Sequence, residues 1–346
     1  MTSRELVKKT LEFDSPERIP RDLWLLPCAT ITYPEQVKQI QTDFPNDLSG
    51  AMPFYNEENK AYINAYETTG AAYVPGIYID SWGCIFENKQ SGIIGEVKEP
   101  ALKDWQELDQ FNIPIEFLNV DVDQINAFCK NSDRFVLGPV SEDLPRPFER
   151  LQFIRKTENL FMDLIDQPEE FFILLDRMHQ FYIKVLGIWA KTDVDGLWFM
   201  DDWGAQNSLL ISPDQWRRIF KPLYKDYIEI AHQHGKYAFM HSDGYILDIL
   251  PDLIELGLDA INSQIFCMGV EKLGEKFRGK ITFWGEIDRQ HLLPYGSSED
   301  IVNAVHKAYE NLYQNGGVIG QCEFGIGAKP ENVRLIFETW NKVGNR

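Results

Sequence analysis

Residue types suited to metal or acid–base chemistry recur in this 346-residue sequence directly after short apolar runs. Asp201 and Asp202 follow Gly196-Leu197-Trp198-Phe199-Met200, and His241-Ser242-Asp243 follows Tyr237-Ala238-Phe239-Met240. Asn262 follows Leu258-Asp259-Ala260-Ile261, Glu286 and Asp288 follow Lys280-Ile281-Thr282-Phe283-Trp284, and Cys322-Glu323 follows Gly317-Val318-Ile319-Gly320. An imidazole, a thiol and carboxylates gathered at one point form a zinc site with an open coordination position. The candidate ligands are His241, Asp243, Cys322 and Glu323. Asp202 and Glu286 are the candidate catalytic carboxylates, and Trp203, Asn262 and Trp284 the candidate substrate wall. Each has a structural alternative. A lone histidine commonly serves as a hydrogen-bonded scaffold residue, Cys322 as a small buried hydrophobe, Asp202 and Asp243 as loop caps, and Trp198, Trp203, Trp284 and Phe324 as core. His232 and His234 end a helix beside Gly235, where the helix dipole favours them, and receive no function.

Those residues converge only if the runs before them are neighbouring strands. From residue 134 onward six strand candidates alternate with helical patterns, the signature of parallel strands with helical crossovers. Ser212-Pro213-Asp214-Gln215 opens one helix, with Ser as cap and Pro at the first helical position. That helix should break near Pro222 and stop at Gly235. Another spans 297–313 and a last one begins near Pro330. Strands near 22–26 and 73–79 bring the total to eight, which predicts one (β/α)8 barrel over 1–346. Residues 1–20 form a leading helix, and 29–130 decorate the early loops. The alternative, an open doubly wound sheet, lacks a glycine-rich fingerprint. In a barrel the strand ends share one rim, where active sites sit. Asp80-Ser81-Trp82-Gly83-Cys84 reads equally as a segment reaching that rim or as an exposed turn.

Composition narrows the partners. With 34 basic against 53 acidic side chains the net charge is −19, which repels nucleic acid and anionic membrane surfaces. Five widely spaced cysteines are no disulfide framework and suit a reducing, cytoplasmic setting. No signal peptide or spanning segment is legible.

Beyond these readings, the chain from about 135 to 345 resembles the uroporphyrinogen decarboxylase family, and within it the cobalamin-linked methyltransferases of the methylcobalamin:coenzyme M type. The resemblance lies in Phe148-Glu149-Arg150, Glu158 to Leu164, Ser212 to Pro222 and Pro330-Glu331-Asn332. It implies a barrel fold and methyl transfer. In those methyltransferases a His-x-Cys pair and a later Cys hold zinc; His241 and Cys322 fall on these positions, while Asp243 stands in place of the paired Cys. An Asp in place of sulfur leaves zinc a stronger Lewis acid. The resemblance therefore implies methyl transfer between a small methoxylated, N-methylated or thiol compound and a corrinoid. No Asp-x-His-x-x-Gly signature occurs, so cobalamin would arrive on a separate protein. Three alternatives stand beside this reading. The decarboxylase branch relies on an arginine-bearing N-terminal segment, yet Asp22 to Thr30 holds no arginine. A retaining glycosidase would use Asp202 and Glu286 as a carboxylate pair roughly 5 Å apart. A barrel without catalysis would act as a binding partner.

Overall fold

The structure, a computed structural model, describes residues 1–55, 70–141 and 143–344. Its strands are β1 (Arg21–Leu25), β2 (Leu48–Gly50), β3 (Gly76–Ile79), β4 (Ile85–Asn88), β5 (Glu96–Glu99), β6 (Phe135–Gly138), β7 (Gly196–Met200), β8 (Tyr237–Ser242), β9 (Ala260–Ser263), β10 (Thr282–Trp284) and β11 (Val318–Phe324). Eight of them form one sheet in the order β1-β11-β10-β9-β8-β7-β6-β2, every neighbour parallel. With helices between successive strands, this is a (β/α)8 TIM barrel. β1 and β2 stand at the two ends of the hydrogen-bonded order. Asn46 ties them: its Oδ1 accepts from Leu23 N at 2.8 Å and its Nδ2 donates to Leu23 O at 3.1 Å.

The eighth strand is not where the sequence pattern placed it. Residues 76–79 pair antiparallel with β4 in a separate three-stranded sheet with β5. The barrel instead uses Leu48–Gly50, three residues with no apolar run, which dock on β6. A three-residue strand whose pairing is set by the adjoining barrel strand needs little propensity of its own. Residues 56–69, part of the expected loop decoration, lie outside the described residues. Asp80 to Cys84 is a turn, but a largely buried one rather than an exposed one. Asp80 Oδ1 accepts from Trp82 N and Cys84 N, its other oxygen pairs with Arg150, and Trp82 is buried against Phe181.

The helix cues hold. Ser212 Oγ accepts from Gln215 N, helices Pro213–Ile219 and Lys221–Gln233 break between them, and Gly235 follows at φ +66°. Pro222 lies in the first turn of the second helix, where its missing N–H costs nothing. Ser297 and Asp300 form a reciprocal cap on Ser298–Leu312.

Alternation along the strands sorts side chains into two cores. Leu48, Phe135, Leu137, Phe239, Ala260, Trp284 and Ile319 fill the barrel, and Val7 and Leu11 of helix Ser3–Leu11 close its lower end. Val136, Leu197, Phe199, Ala238, Met240, Ile261, Phe283, Val318, Cys322 and Phe324 face the surrounding helices. Among the described residues no helix is long and apolar enough to cross a membrane.

Candidate functional site

Period-two alternation continues past the strand ends and decides which polar residues reach the rim. Trp198 faces inward, so Asp202 does; Phe239 does, so His241 and Asp243 do; Trp284 does, so Glu286 does. The opposite parity sends Asp201 outward. There it is fully buried, accepts from Phe148 N, Glu149 N and Tyr224 OH at 3.0, 2.7 and 2.5 Å, and anchors the start of helix Pro147–Arg155. Burial pushes its carboxyl up to about 8.

Two glycines lock the loops after β7 and β8 together. A Cβ on Gly244, at φ +76°, would lie 2.1 Å from Gly204 O, and one on Gly204 would lie 2.3 Å from Tyr245 N. Side chains cannot enter this crossing. Gly204 N donates to Asp243 O at 3.1 Å, Tyr245 N to Ala205 O at 2.8 Å, and Asp243 N to Asp202 Oδ1 at 3.0 Å. His241 Nε2 consequently lies 3.4 Å from Asp202 Oδ1 and 3.6 Å from Asp243 Oδ1. Among the described residues, Asp202, His241 and Asp243 are the one group whose donor atoms all lie within 4.8 Å of each other.

The imidazole is held from behind. Asn262 Nδ2 donates to the Trp284 carbonyl, so its Oδ1 is turned to His241 Nδ1, 2.6 Å away. A carbonyl oxygen there requires Nδ1 to carry hydrogen. Nε2 is thereby directed at the two aspartates, the arrangement by which outer partners orient a ligating histidine. Burial opposes a charged imidazole, but Asp202 and Asp243 outweigh it and raise His241 to about 10. Asp202 is in turn held below the usual carboxylate range: burial works against this, and the His241 hydrogen bond and charge prevail. Asp243 Oδ1 accepts no hydrogen bond among the described residues. One neutral-capable imidazole and two carboxylates, one with a free lone pair, fit a divalent ion of the zinc type, with formal charge balanced to zero.

Arg289, on the loop after β10, is the site residue that strand-end reading misses, because no periodicity marks a loop. Its guanidinium pairs with Asp243 Oδ2, and with Glu323 Oε2 at 3.0 Å and Glu286 Oε2 at 3.5 Å. Burial works against that charge, yet the three carboxylates hold it firmly protonated. Glu286 is 2% exposed and pushed up by burial to about 8; its Oε1 has no hydrogen-bond partner among the described residues. Beside it opens a cavity of about 260 Å³ that also borders Gln264, Phe266 and Cys267.

The other sequence-derived candidates are distributed differently. Cys322 sits within β11 on the helix-facing side, fully buried, and burial raises its thiol far above the usual range. A Cβ on Gly320, the same face, would meet Trp340 of the outer helix Pro330–Gly344. Its sulfur is outside the three-residue group. Glu323 reaches the rim but is engaged by Arg289. Trp203 stacks on Phe148 with centroids 4.2 Å apart and donates Nε1–H to Tyr224 OH, wholly inside the helical layer. Asn262 supports the imidazole, and Trp284 lies inside the barrel below Glu286.

Residues 147–343 match the family model described as uroporphyrinogen decarboxylase (URO-D), more than half of the chain. The chain belongs to the uroporphyrinogen decarboxylase family. No curated protein matches the chain. Among solved structures, a methyltransferase from Methanosarcina mazei superimposes with TM-score 0.68 at 14% identity, covering 99% of each chain. A putative vitamin-B12 independent methionine synthase from Listeria monocytogenes gives 0.44 at 12% identity, over 89% of this chain and 84% of that one. A 3-keto-D-glucoside 4-epimerase from E. coli gives 0.37 at 12% identity, over 69% and 94%. At such identities the likeness is one of fold.

Proposed function

We propose that this member of the uroporphyrinogen decarboxylase family is a zinc-dependent methyltransferase. It moves a methyl group between a small methoxylated, N-methylated or thiol compound and a corrinoid carried by a separate protein. The observation that carries this reading is the Asp202–His241–Asp243 group, backed by Asn262, at the mouth of a fold that matches a methyltransferase end to end.

Asp202, His241 and Asp243 would hold the ion, with Nε2 of His241 as the nitrogen donor. When bound, such an ion polarises an oxygen, nitrogen or sulfur of the substrate, so that the methyl group is more easily given up or accepted. Asn262 keeps the imidazole in the ligating tautomer. Arg289 draws one oxygen of Asp243 aside and neutralises part of the charge that Glu286 and Glu323 add. Glu286, buried and with its pKa near neutrality, is the group placed to give or take a proton at the leaving heteroatom. The family's other known chemistry, decarboxylation of a polycarboxylate porphyrinogen, is disfavoured by electrostatics. Such a substrate would meet Asp202, Asp243, Glu286 and Glu323, with the guanidinium among them already engaged.

The test is elemental analysis of the untreated protein combined with methylation of cob(I)alamin, followed by its absorbance, on supplying methylated donors. Expected are one zinc per chain, loss of zinc and of methyl transfer in His241→Ala, and retention of both in Cys322→Ser. A folded, metal-free wild type that stays inactive after zinc is added overturns the reading.

A further inference from the structure

Three loops meet on one guanidinium beside the Asp202–His241–Asp243 group. Arg289 belongs to the segment after β10, and Asp288 shapes that segment. Its Oδ1 accepts from Gln290 N at 2.8 Å and from His291 N at 2.9 Å, and its carbonyl accepts from Leu293 N at 3.1 Å. From this turn Nη2 of Arg289 reaches Asp243 Oδ2, after β8, while Nη1 faces Glu323 Oε2, in β11, at 3.0 Å and Glu286 Oε2 at 3.5 Å. A planar fork with several anchors holds its position, as a single ammonium on a flexible stem does not.

The fork divides the oxygens of Asp243. Oδ2 takes the hydrogen bond from Nη2, whereas Oδ1 has no hydrogen-bond partner among the described residues and lies 3.6 Å from His241 Nε2. Asp202 is tied as well, since the Oδ1 that lies 3.4 Å from Nε2 also accepts from Asp243 N. The group therefore presents one atom from each residue: two carboxylate oxygens and one imidazole nitrogen. Three protein donors that include nitrogen, with a position left open, suit zinc. Manganese carries the same charge but favours six oxygen ligands, so it gains more from each further carboxylate oxygen. Such oxygens are close by on Asp243, Glu286 and Glu323, and Arg289 engages one of each.

We infer that Arg289 is a positioning residue that sets the metal preference of the site. By leaving Asp243 a single oxygen to offer and by engaging Glu286 and Glu323, it favours zinc over manganese. This rests on the metal reading proposed above. A guanidinium that only neutralised charge would act differently. Both ions are divalent, so a nearby positive charge opposes their binding to nearly the same degree and leaves the ratio of their affinities unchanged. A brace on the ligands changes the ratio.

The experiment measures both dissociation constants on the full chain. Zinc is followed by competition with a chromophoric chelator and manganese by electron paramagnetic resonance of the free ion, with circular dichroism of every sample. Arg289→Met removes brace and charge together. Its preference for zinc over manganese is expected to fall by about 10–100-fold, the span over which outer partners act on metal ligands. Arg289→Lys keeps the charge without the fork and is expected to lose a good part of the preference all the same. Glu323→Gln changes the charge and leaves the guanidinium an acceptor; there both constants are expected to shift together, with their ratio as in the wild type. An unchanged ratio in a folded Arg289→Met overturns the inference. So does full retention of the preference by Arg289→Lys, or an equal fall in Glu323→Gln, since charge then accounts for everything. If Arg289→Met does not fold, the lysine and glutamine variants decide. The two readings fail distinguishably. A wild type that binds no zinc sinks the proposed metal chemistry and this inference with it, whereas zinc bound with an unaltered ratio in the variants sinks this inference alone.

Discussion

Asn262 shows how much of a ligand site can rest on a residue that would touch no ligand. Its amide is oriented by a backbone carbonyl that can only accept, and this fixes which imidazole nitrogen of His241 is left to face Asp202 and Asp243. Replacing it with alanine leaves every proposed donor in place but frees the ring to turn and to change tautomer. In Asn262→Ala the zinc affinity is therefore expected to fall by about 10–100-fold, the range found when partners of a metal-binding histidine are removed. Competition with a chromophoric chelator measures this directly. An unchanged affinity would mean that packing alone, through Trp24 against the ring, sets the orientation.

At the scale of elements, the site is made by the crossing of the β7 and β8 loops, and glycine makes that crossing possible. Gly244→Ala forces a side chain into φ +76° and against Gly204 O. It should destabilise the protein by about 2 kcal/mol or more and separate Asp202 from Asp243. Gly187→Ala is the matched control, in the last turn of helix Glu169–Trp189 with nothing within 4 Å of the new Cβ. It should gain up to about 1 kcal/mol. Urea denaturation of both reads the opposite signs. Much of this arrangement was legible in the sequence, because strand alternation needs only a starting point. The apolar runs located seven of the eight barrel strands, and the residues after them contained Asp202, His241 and Asp243. What went astray followed from ending strands too early. β11 continues to Phe324, so counting by twos from the inward Ile319 reaches Gln321 and Glu323 and leaves Cys322 against the helices. Trp203, one step beyond Asp202, is turned outward by the same count. β2 is three residues without an apolar pattern, and Arg289 lies on a loop. Neither carries a periodic signal, and both are defined only by the neighbours that the closed barrel supplies.

For the molecule as a whole, the interior carboxylate at Asp22 is expected to contribute a pH dependence of stability opposite to that of a surface carboxylate. Burial, the dominant influence, pushes its pKa up to about 7 despite the hydrogen bonds it accepts from Trp24 Nε1, Trp284 Nε1 and Asn46 Nδ2, whereas in the unfolded chain it is about 3.9. Between these values the folded state keeps a proton that the unfolded state has released. By linkage, stability falls as pH rises through that window, by up to about 4 kcal/mol in total. A carboxylate in a surface ion pair does the reverse, gaining stability as pH rises. The net charge of −19 adds self-repulsion in the same direction as Asp22 when acid groups ionise, so the wild type alone cannot apportion the slope. Comparison with Asp22→Asn can. The amide cannot ionise and is indifferent to pH, while the remaining charges are unchanged. The variant is expected to be less stable at pH 5, having lost good acceptors for Trp24, Trp284 and Asn46, but its stability should decline less steeply toward pH 7. Urea titrations at half-unit intervals between these limits measure the difference in slope, whose maximum is one proton. Parallel pH profiles would mean that Asp22 is already ionised in the folded barrel at pH 5, with its three donors outweighing burial.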